Sequence, residues 1–434
     1  MSIKSLIMTL LPDSFLKWQK DVCNQICAGR AYRNLVMRRN VQKLRKKPLI
    51  KVLFIAYTPS MWKVDSLYQA MKRNPRFEPQ ILLVPNMTMS DTAIRAKGLL
   101  NLRSFFQQKN YDYVEWCDIK GNSEYERIPK EYDIIFYPQP YPGLIPQNLD
   151  FPHNQGRLMI GCDYAFHSGN QNWAYNKWYQ NAAWLDLYEN QSTYELSCKI
   201  KDNKGVNSVV TGLPIMDEFT QSEYRSPWKP RPTQCKRIIW APHWTLSGQD
   251  NRMPSYSNFL EMADFMLNFA RSNSKIFQFA FKPHPHLKRE LYKHPDWGKD
   301  KTEAYYSAWI DGENTQLEEG EYIDLFMTSD AMIHDSSSFC CEYLMTGKPV
   351  LFMVKNEELQ VNLLNEMART AFYAQYLGYT MSDLDSFLKD IVLQSNDFKK
   401  ETRDEVATRF MIPPYGTTAA ENIISVILDK NRHT

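Results

Sequence analysis

The sequence predicts an α/β protein made of two parallel-sheet domains behind a basic N-terminal helical extension. Three observations carry that expectation. A chain of 434 residues exceeds one ordinary hydrophobic core and suits two. Short apolar runs of the kind buried in parallel sheets alternate with segments of helical periodicity in both halves. Positive charge gathers at the N-terminus, where residues 1–48 hold 11 Lys/Arg against 2 Asp/Glu and leave 41 against 47 for the rest.

Composition narrows the function classes. With 43% hydrophobic residues and only 16 glycines, the chain has material for packed interiors and no bias toward disorder. No run of about 18 apolar residues occurs and no secretory cleavage pattern is visible, so a cytoplasmic location is expected. The eight cysteines are scattered without zinc-site spacing and read as reduced thiols. Within residues 1–48, apolar positions from Leu6 to Trp18 precede the basic run Arg30 to Lys47. Such a segment suits an amphipathic helix on an anionic membrane surface; an ordinary helix with a solvated basic face is the alternative. Nucleic acid is not expected, because the acidic body behind the patch repels a long polyanion and no binding motif follows.

Sheet formation starts at Ile50–Tyr57 (IKVLFIAY), after Pro48 ends the extension. Met61–Arg73 then places Val64, Leu67, Tyr68 and Met71 at helical spacing, and Ile81–Val84 returns to strand, a βαβ opening. Tyr132–Tyr137, Leu158–Gly161 and Val209–Thr211 continue the first domain, assigned to residues 49–225. Four prolines between Gly212 and Arg237 mark a linker. A second series, assigned to 235–395, has strands at Arg237–Ala241, Ile276–Phe281, Ala331–His334 and Pro349–Val354, with a helix near Phe259–Phe269. Residues 396–434 read as helices that pack back across the junction. Two such units in succession read as two Rossmann-like domains, the glycosyltransferase-B (GT-B) type.

Ligands of open α/β sheets bind beyond the C-terminal ends of the strands, so residues just after each strand are the first candidates. In the second half they are Pro242-His243-Trp244-Thr245, Lys282-Pro283-His284-Pro285-His286 and His334-Asp335-Ser336-Ser337-Ser338. The serine run opens a helix closed by Gly347 and Pro349, so hydroxyls and free N–H groups face an anion at the positive helix end. This is a phosphate seat; simple capping by one serine is the alternative. Glu342, one turn on, can accept from a ribose hydroxyl or stay solvated. His284, between two prolines, can donate to a diphosphate or move a proton near neutral pH. His243 has a packing role against Trp244 as its alternative. His286 and His294 lack a third ligand, so no metal and no cofactor are expected.

Read in order, these residues resemble the CDP-glycerol glycerophosphotransferase family, which primes and polymerises teichoic acid and related capsular phosphopolymers. The likeness spans about residues 50–390: WKVDSLYQAMKRNPRFEP (Trp62–Pro79), VTGLPIMD (Val210–Asp217), WAPHW (Trp240–Trp244), Lys282–Pro285, and YIDLFMTSDAMIHDSSSFCCEYLMTGKPVLF (Tyr322–Phe352). The resemblance implies a phosphate-contacting or catalytic His284, a donor site at Asp335, Ser336, Ser337 and Ser338, and Lys282 neutralising diphosphate charge. Two departures stand out. His243 and Thr245 replace the family's Thr and Arg around the tryptophan, and no clear copy of its upstream His-Gly is seen. Near that place stand Gly161, Cys162, Asp163 and Tyr164, with Asp163 either the base for an acceptor hydroxyl or a buried structural aspartate.

The resemblance implies transfer of a glycerol-phosphate or other alditol-phosphate group from a CDP-linked donor to a hydroxyl of a lipid-linked surface polymer, teichoic acid or capsule, on the inner face of the cell membrane. One alternative is a GT-B glycosyltransferase using a nucleotide sugar. Another is a non-catalytic, membrane-associated scaffold of polymer assembly.

Overall fold

The structure is a computed structural model that describes residues 34–138, 143–154, 156–232, 234–246, 255–337 and 339–429. Most of the basic extension, residues 1–33, and Ser338 lie outside the described residues.

Thirteen strands among the described residues form two sheets, one per half, with every pairing parallel. The first contains β1 (Ile50–Ala56), β2 (Phe77–Leu83), β3 (Tyr113–Glu115), β4 (Ile134–Tyr137), β5 (Leu158–Cys162), β6 (Leu185–Tyr188) and β7 (Ser208–Val210). The second contains β8 (Lys236–Ala241), β9 (Phe277–Phe281), β10 (Thr315–Leu317), β11 (Ala331–His334), β12 (Val350–Met353) and β13 (Tyr376–Gly378). Their orders, β3-β2-β1-β4-β5-β6-β7 and β10-β9-β8-β11-β12-β13, both run outward from the first strand and then reverse. That is the doubly wound order of a Rossmann-like domain, twice over, and it places a ligand crevice at each reversal.

The apolar runs form strands because helices cover both sheet faces. Along β1, Val52, Phe54 and Ala56 belong to one core while Leu53 and Ile55 belong to another, the period-2 alternation of a strand buried on both sides. β8 repeats this with Ile238 and Trp240 against Ile239 and Ala241. Burying one such side chain fully contributes roughly 1.5–3 kcal/mol, so these central strands anchor each half. One apolar core is shared between the halves, since Ile239 and Met332 of the second sheet join the cluster that holds Val52 and Phe54.

Several elements differ from the expected boundaries for physical reasons. β2 begins at Phe77 and runs through Pro79, because β3 pairs only with Ile81–Leu83. The first part of β2 therefore has a free side where the missing proline N–H breaks no ladder. The helix after β1 is Asp65–Arg73, preceded by a separate 3-10 turn at Pro59–Met61. β6 was not expected: Asp186 interrupts its apolar run, but it is paired with the fully buried Lys201 at 2.8 Å. The serine run leads into only one α-turn, Phe339–Glu342, continued as 3-10 over Tyr343–Thr346 and ended by Gly347 at φ +68°.

The last helix, Ala419–Leu428, packs on Asp65–Arg73 of the first half. Its first N–H groups, Ala419 and Ala420, donate to the Asp217 carboxylate at 2.7 and 3.0 Å, a favourable charge for a helix N-terminus. Gly212 makes this closure possible: its φ is +78°, and a Cβ there would lie 3.1 Å from Ala419. Of the basic extension, the described helix 34–46 buries Val41 and Leu44 in the first core while Arg38 and Arg39 face solvent. No helix among the described residues is long and apolar enough to cross a membrane.

Candidate active site between the two halves

A cavity of about 270 Å³ lies between the halves, beyond the C-terminal ends of both sheets. From the second half Asp335 and Ser337 reach it, both just past β11 at the sheet reversal. From the first half the segment 163–169 after β5 lines it, with Asp163 and His167.

The first-half wall carries a buried ion-paired triad. His167 Nε2 lies 2.7 Å from Asp163 Oδ2, and His167 Nδ1 lies 2.8 Å from Glu189 Oε2. Glu189 follows β6 directly and also accepts from the His167 backbone N–H at 3.0 Å. The imidazole packs against both Tyr175 and Tyr188, with ring centres at 5.5 and 5.1 Å, and these two rings stack on each other at 6.4 Å. Burial alone disfavours its charged form, yet Glu189 and Asp163 together hold His167 well above its ordinary range, so it is an imidazolium at neutral pH. Burial pushes the Asp163 carboxyl up, and His167 more than offsets this, leaving it below the usual carboxylate range.

Sequence reasoning singled out Asp163 but missed His167 and Glu189. The signal was present, because both follow strands that end at the ligand edge. The short apolar run before Asp163 was noticed and the one before Glu189 was masked by Asp186. His167 is followed by Ser168 and Gly169, and occupies the region where a histidine was not recognised.

The second half contrasts with this: Asp335 and Ser337 line the cavity, whereas His243, His284 and Ser336 do not. The Asp335 carboxylate accepts from the backbone N–H groups of His243 at 2.6 Å and Asn258 at 2.7 Å, so it binds the loop after β8 to the loop after β11. His243 is 4% exposed, and burial lowers its imidazole to about 3. Its ring lies 5.1 Å from that of His284, whose backbone N–H donates to Pro242 O at 3.1 Å. Burial, then His243, His286 and Arg289, push His284 down to about 2. His284 Nδ1 accepts from the His286 N–H at 3.1 Å, which puts the proton of the neutral ring on Nε2. The result is a fixed, uncharged donor. His334 props the serine turn: its Nε2 donates to Gln375 Oε1 at 2.7 Å and its Nδ1 accepts from Ser336 N at 3.2 Å. Ser336 is thereby buried, and of the serine run's described residues Ser337 lines the cavity.

Lys282 and Glu342 do not line this cavity and meet instead in a neighbouring buried cluster. The Lys282 ammonium donates to Gly320 O at 2.9 Å and lies 5.6 Å from the Tyr322 ring centre, while Lys63 of the first half lies 4.1 Å from the same ring. Burial, then Lys63, lower Lys282 to about 8. Glu342, expected on a helix face one turn past the serines, is 1% exposed, and burial raises it to about 7. No group of three or more metal-ligating side chains occurs among the described residues.

Two doubly wound sheets closing on a cleft, with a serine turn on one wall and an ion-paired carboxylate on the other, are the GT-B architecture. The sequence supplies the particular group. Over residues 190–427 it matches the family described as CDP-Glycerol:Poly(glycerophosphate) glycerophosphotransferase, and the chain belongs to that family. No curated protein matches the sequence. Among solved structures it is similar to a UDP-N-acetylglucosamine 2-epimerase, with a TM-score of 0.56 and 14% identity over 89% of this chain and 99% of that one. It is also similar to the wall teichoic acid polymerase TagF in a histidine-to-asparagine variant, with a TM-score of 0.52 and 14% identity over 95% and 96% of the two chains. The same variant soaked with CDPG gives 0.50 and 15% over 95% and 99%. At these identities the likeness shows the fold alone.

Proposed function

We propose that the protein transfers a glycerol-phosphate, or another alditol-phosphate, from a CDP-linked donor to a terminal hydroxyl of a lipid-linked surface polymer such as teichoic acid or capsule. The observation that carries this reading is the placement of Ser337 and the Asp163–His167 pair on opposite walls of one cavity. The CDPG-soaked TagF structure supports the choice of donor.

In this mechanism the serine run, Ser336 to Ser338, seats the donor phosphates, His284 Nε2–H donates to a phosphate oxygen, and Lys282 balances the diphosphate charge from below. His243 and Asp335 hold the two loops that present these groups. Glu342 supports the donor side through Tyr322 and Lys282. The acceptor oxygen attacks the alditol-bearing phosphorus, forming the new P–O bond. The bond from that phosphorus to the bridging oxygen breaks, and the oxygen leaves with CMP. The acceptor proton passes to Asp163, whose orientation and charge are set by His167 and Glu189. Rate enhancement then comes from alignment and from charge stabilisation around phosphorus.

The test is product analysis of purified protein supplied with CDP-glycerol and an alditol-phosphate acceptor. CMP release with chain extension is expected. Release of a nucleoside diphosphate from a nucleotide sugar, with CDP-glycerol inert, would replace this reading by glycosyl transfer. The basic segment 1–48 keeps the enzyme on the anionic inner membrane face, so removal of residues 1–33, which leaves the core-packed helix 34–46 in place, is expected to reduce sedimentation with phosphatidylglycerol vesicles.

A further inference from the structure

One side chain of the cavity has no structural employment. Gln360, on the helix Glu357–Leu363 after β12, is 5% exposed and lines the cavity, yet neither its amide nitrogen nor its amide oxygen has a partner among the described residues. A buried amide left unpaired is destabilising, and native proteins pair nearly all such groups. Its two atoms present one donor and one acceptor side by side, matching a pair of adjacent hydroxyls, since each hydroxyl both donates and accepts.

The surroundings say which substrate brings those hydroxyls. The end of this helix is stapled to the first-half loop that follows Asp163: Asn170 N donates to Leu363 O at 3.0 Å, Gln171 Nε2 to the same oxygen at 2.6 Å, and Gly169 bridges Leu364. Asn365 Nδ2 donates to His167 O. Gln360 is therefore held in register with the triad, one strand away from the sheet reversal where the serine turn sits. Trp173 stands at the same cavity, 64% exposed, with the Lys177 ammonium 5.6 Å from its ring centre. An exposed indole packs against the C–H face of a polyol, and a nearby cation favours the phosphodiester that follows it.

We propose that Gln360 reads the acceptor: its amide grips the terminal vicinal diol of a polyol-phosphate chain and places the reacting hydroxyl before Asp163. The proposal rests on the transfer reaction above for the identity of the chain end. Gln360 is then a specificity residue on the acceptor side and takes no part in holding the donor.

The experiment uses the full chain, as wild type and Gln360→Met, with CDP-glycerol as donor. Two synthetic acceptors serve as probes, a glycerophosphoglycerol with its terminal diol and the analogue lacking the secondary hydroxyl. Wild type is expected to favour the diol by about 10-fold in kcat/KM. Gln360→Met should lose that preference, with diol KM raised about 10-fold and kcat within about 2-fold. CMP binding should be unchanged, and the melting temperature equal or higher because an unpaired amide is gone. Retained diol preference in the variant, or weakened CMP binding, overturns the proposal. If wild type transfers to neither probe, the reaction is misread, and direct titration with the diol probe decides on Gln360 separately. Binding weakened about 10-fold by the substitution then supports the assignment, whereas equal or undetectable binding overturns it.

Discussion

The two halves of the molecule use histidine in opposite ways. In the first half, His167 sits between Asp163 and Glu189 and is held as a cation. In the second half, His243 and His334 are buried and His284 is half-buried; no carboxylate pairs with their rings, and desolvation keeps them uncharged. All four are at ligand-facing strand ends or the loops after them, and nothing in the residue type distinguishes them. What differs is the company of carboxylates: two side-chain carboxylates flank His167, whereas Asp335 contacts only the backbone N–H of His243. The difference is one of charge: a buried ion-paired set in the first half, neutral imidazoles in the second, and the function proposed above assigns proton handling to the first and anion binding to the second.

The largest expected effect that probes this contrast is Asp163→Asn. If the first wall handles the acceptor proton, kcat should fall by about 10³-fold while titration shows CDP-glycerol binding within about 3-fold of wild type. An equal loss of donor binding would erase the division between walls.

Glu189→Gln comes next. It removes one charge from a buried ion-paired set, and denaturant unfolding should show a loss of about 3 kcal/mol. A change under 0.5 kcal/mol would mean that the triad is not ionised as described.

Acidification should separate the two walls without mutation. His243 and His334 have folded values lowered to about 3 and about 4, so the unfolded chain binds protons there below about pH 6.5 while the folded chain does not. Each therefore withdraws up to about 1.4 kcal/mol of stability per pH unit between about 6.5 and its folded value. His167 has the opposite sign: its contribution is fully present below about pH 6.5 and is lost as pH rises through its raised folded value. Hydrogen exchange at pH 5 should show earlier opening of β8 and β11 than of β5 and β6, and His243→Gln should reduce that difference.

The smallest effect concerns Lys282. Lys282→Met should weaken CDP-glycerol binding about 10-fold, and wild-type affinity should decline above about pH 8 as the ammonium loses its proton. The variant should show a flatter pH dependence of binding over the same range.

Much of this molecule is legible from local pattern. Central strands such as β1 and β8 announce themselves because burial on both faces demands an unbroken apolar run. The rule that ligands sit past strand ends pointed to His284, Asp335 and Ser337, whereas Asp163 was singled out by the family resemblance. The same rule applied to β6 would have exposed Glu189, but Asp186 broke the run that defines the strand, and its partner Lys201 is visible only in the fold.

By itself the sequence determined the two-sheet α/β architecture, the family, and which strand ends carry polar chemistry, because these depend on periodicity and short motifs within a few residues. Tertiary structure alone decided which groups meet and in which charge state. His167 meets Glu189 across 22 residues and Asn365 across 198, and Gln360 is a buried amide without a partner among the described residues. Protonation and hydrogen-bond satisfaction are set by neighbours and desolvation, and those are properties of the packed chain.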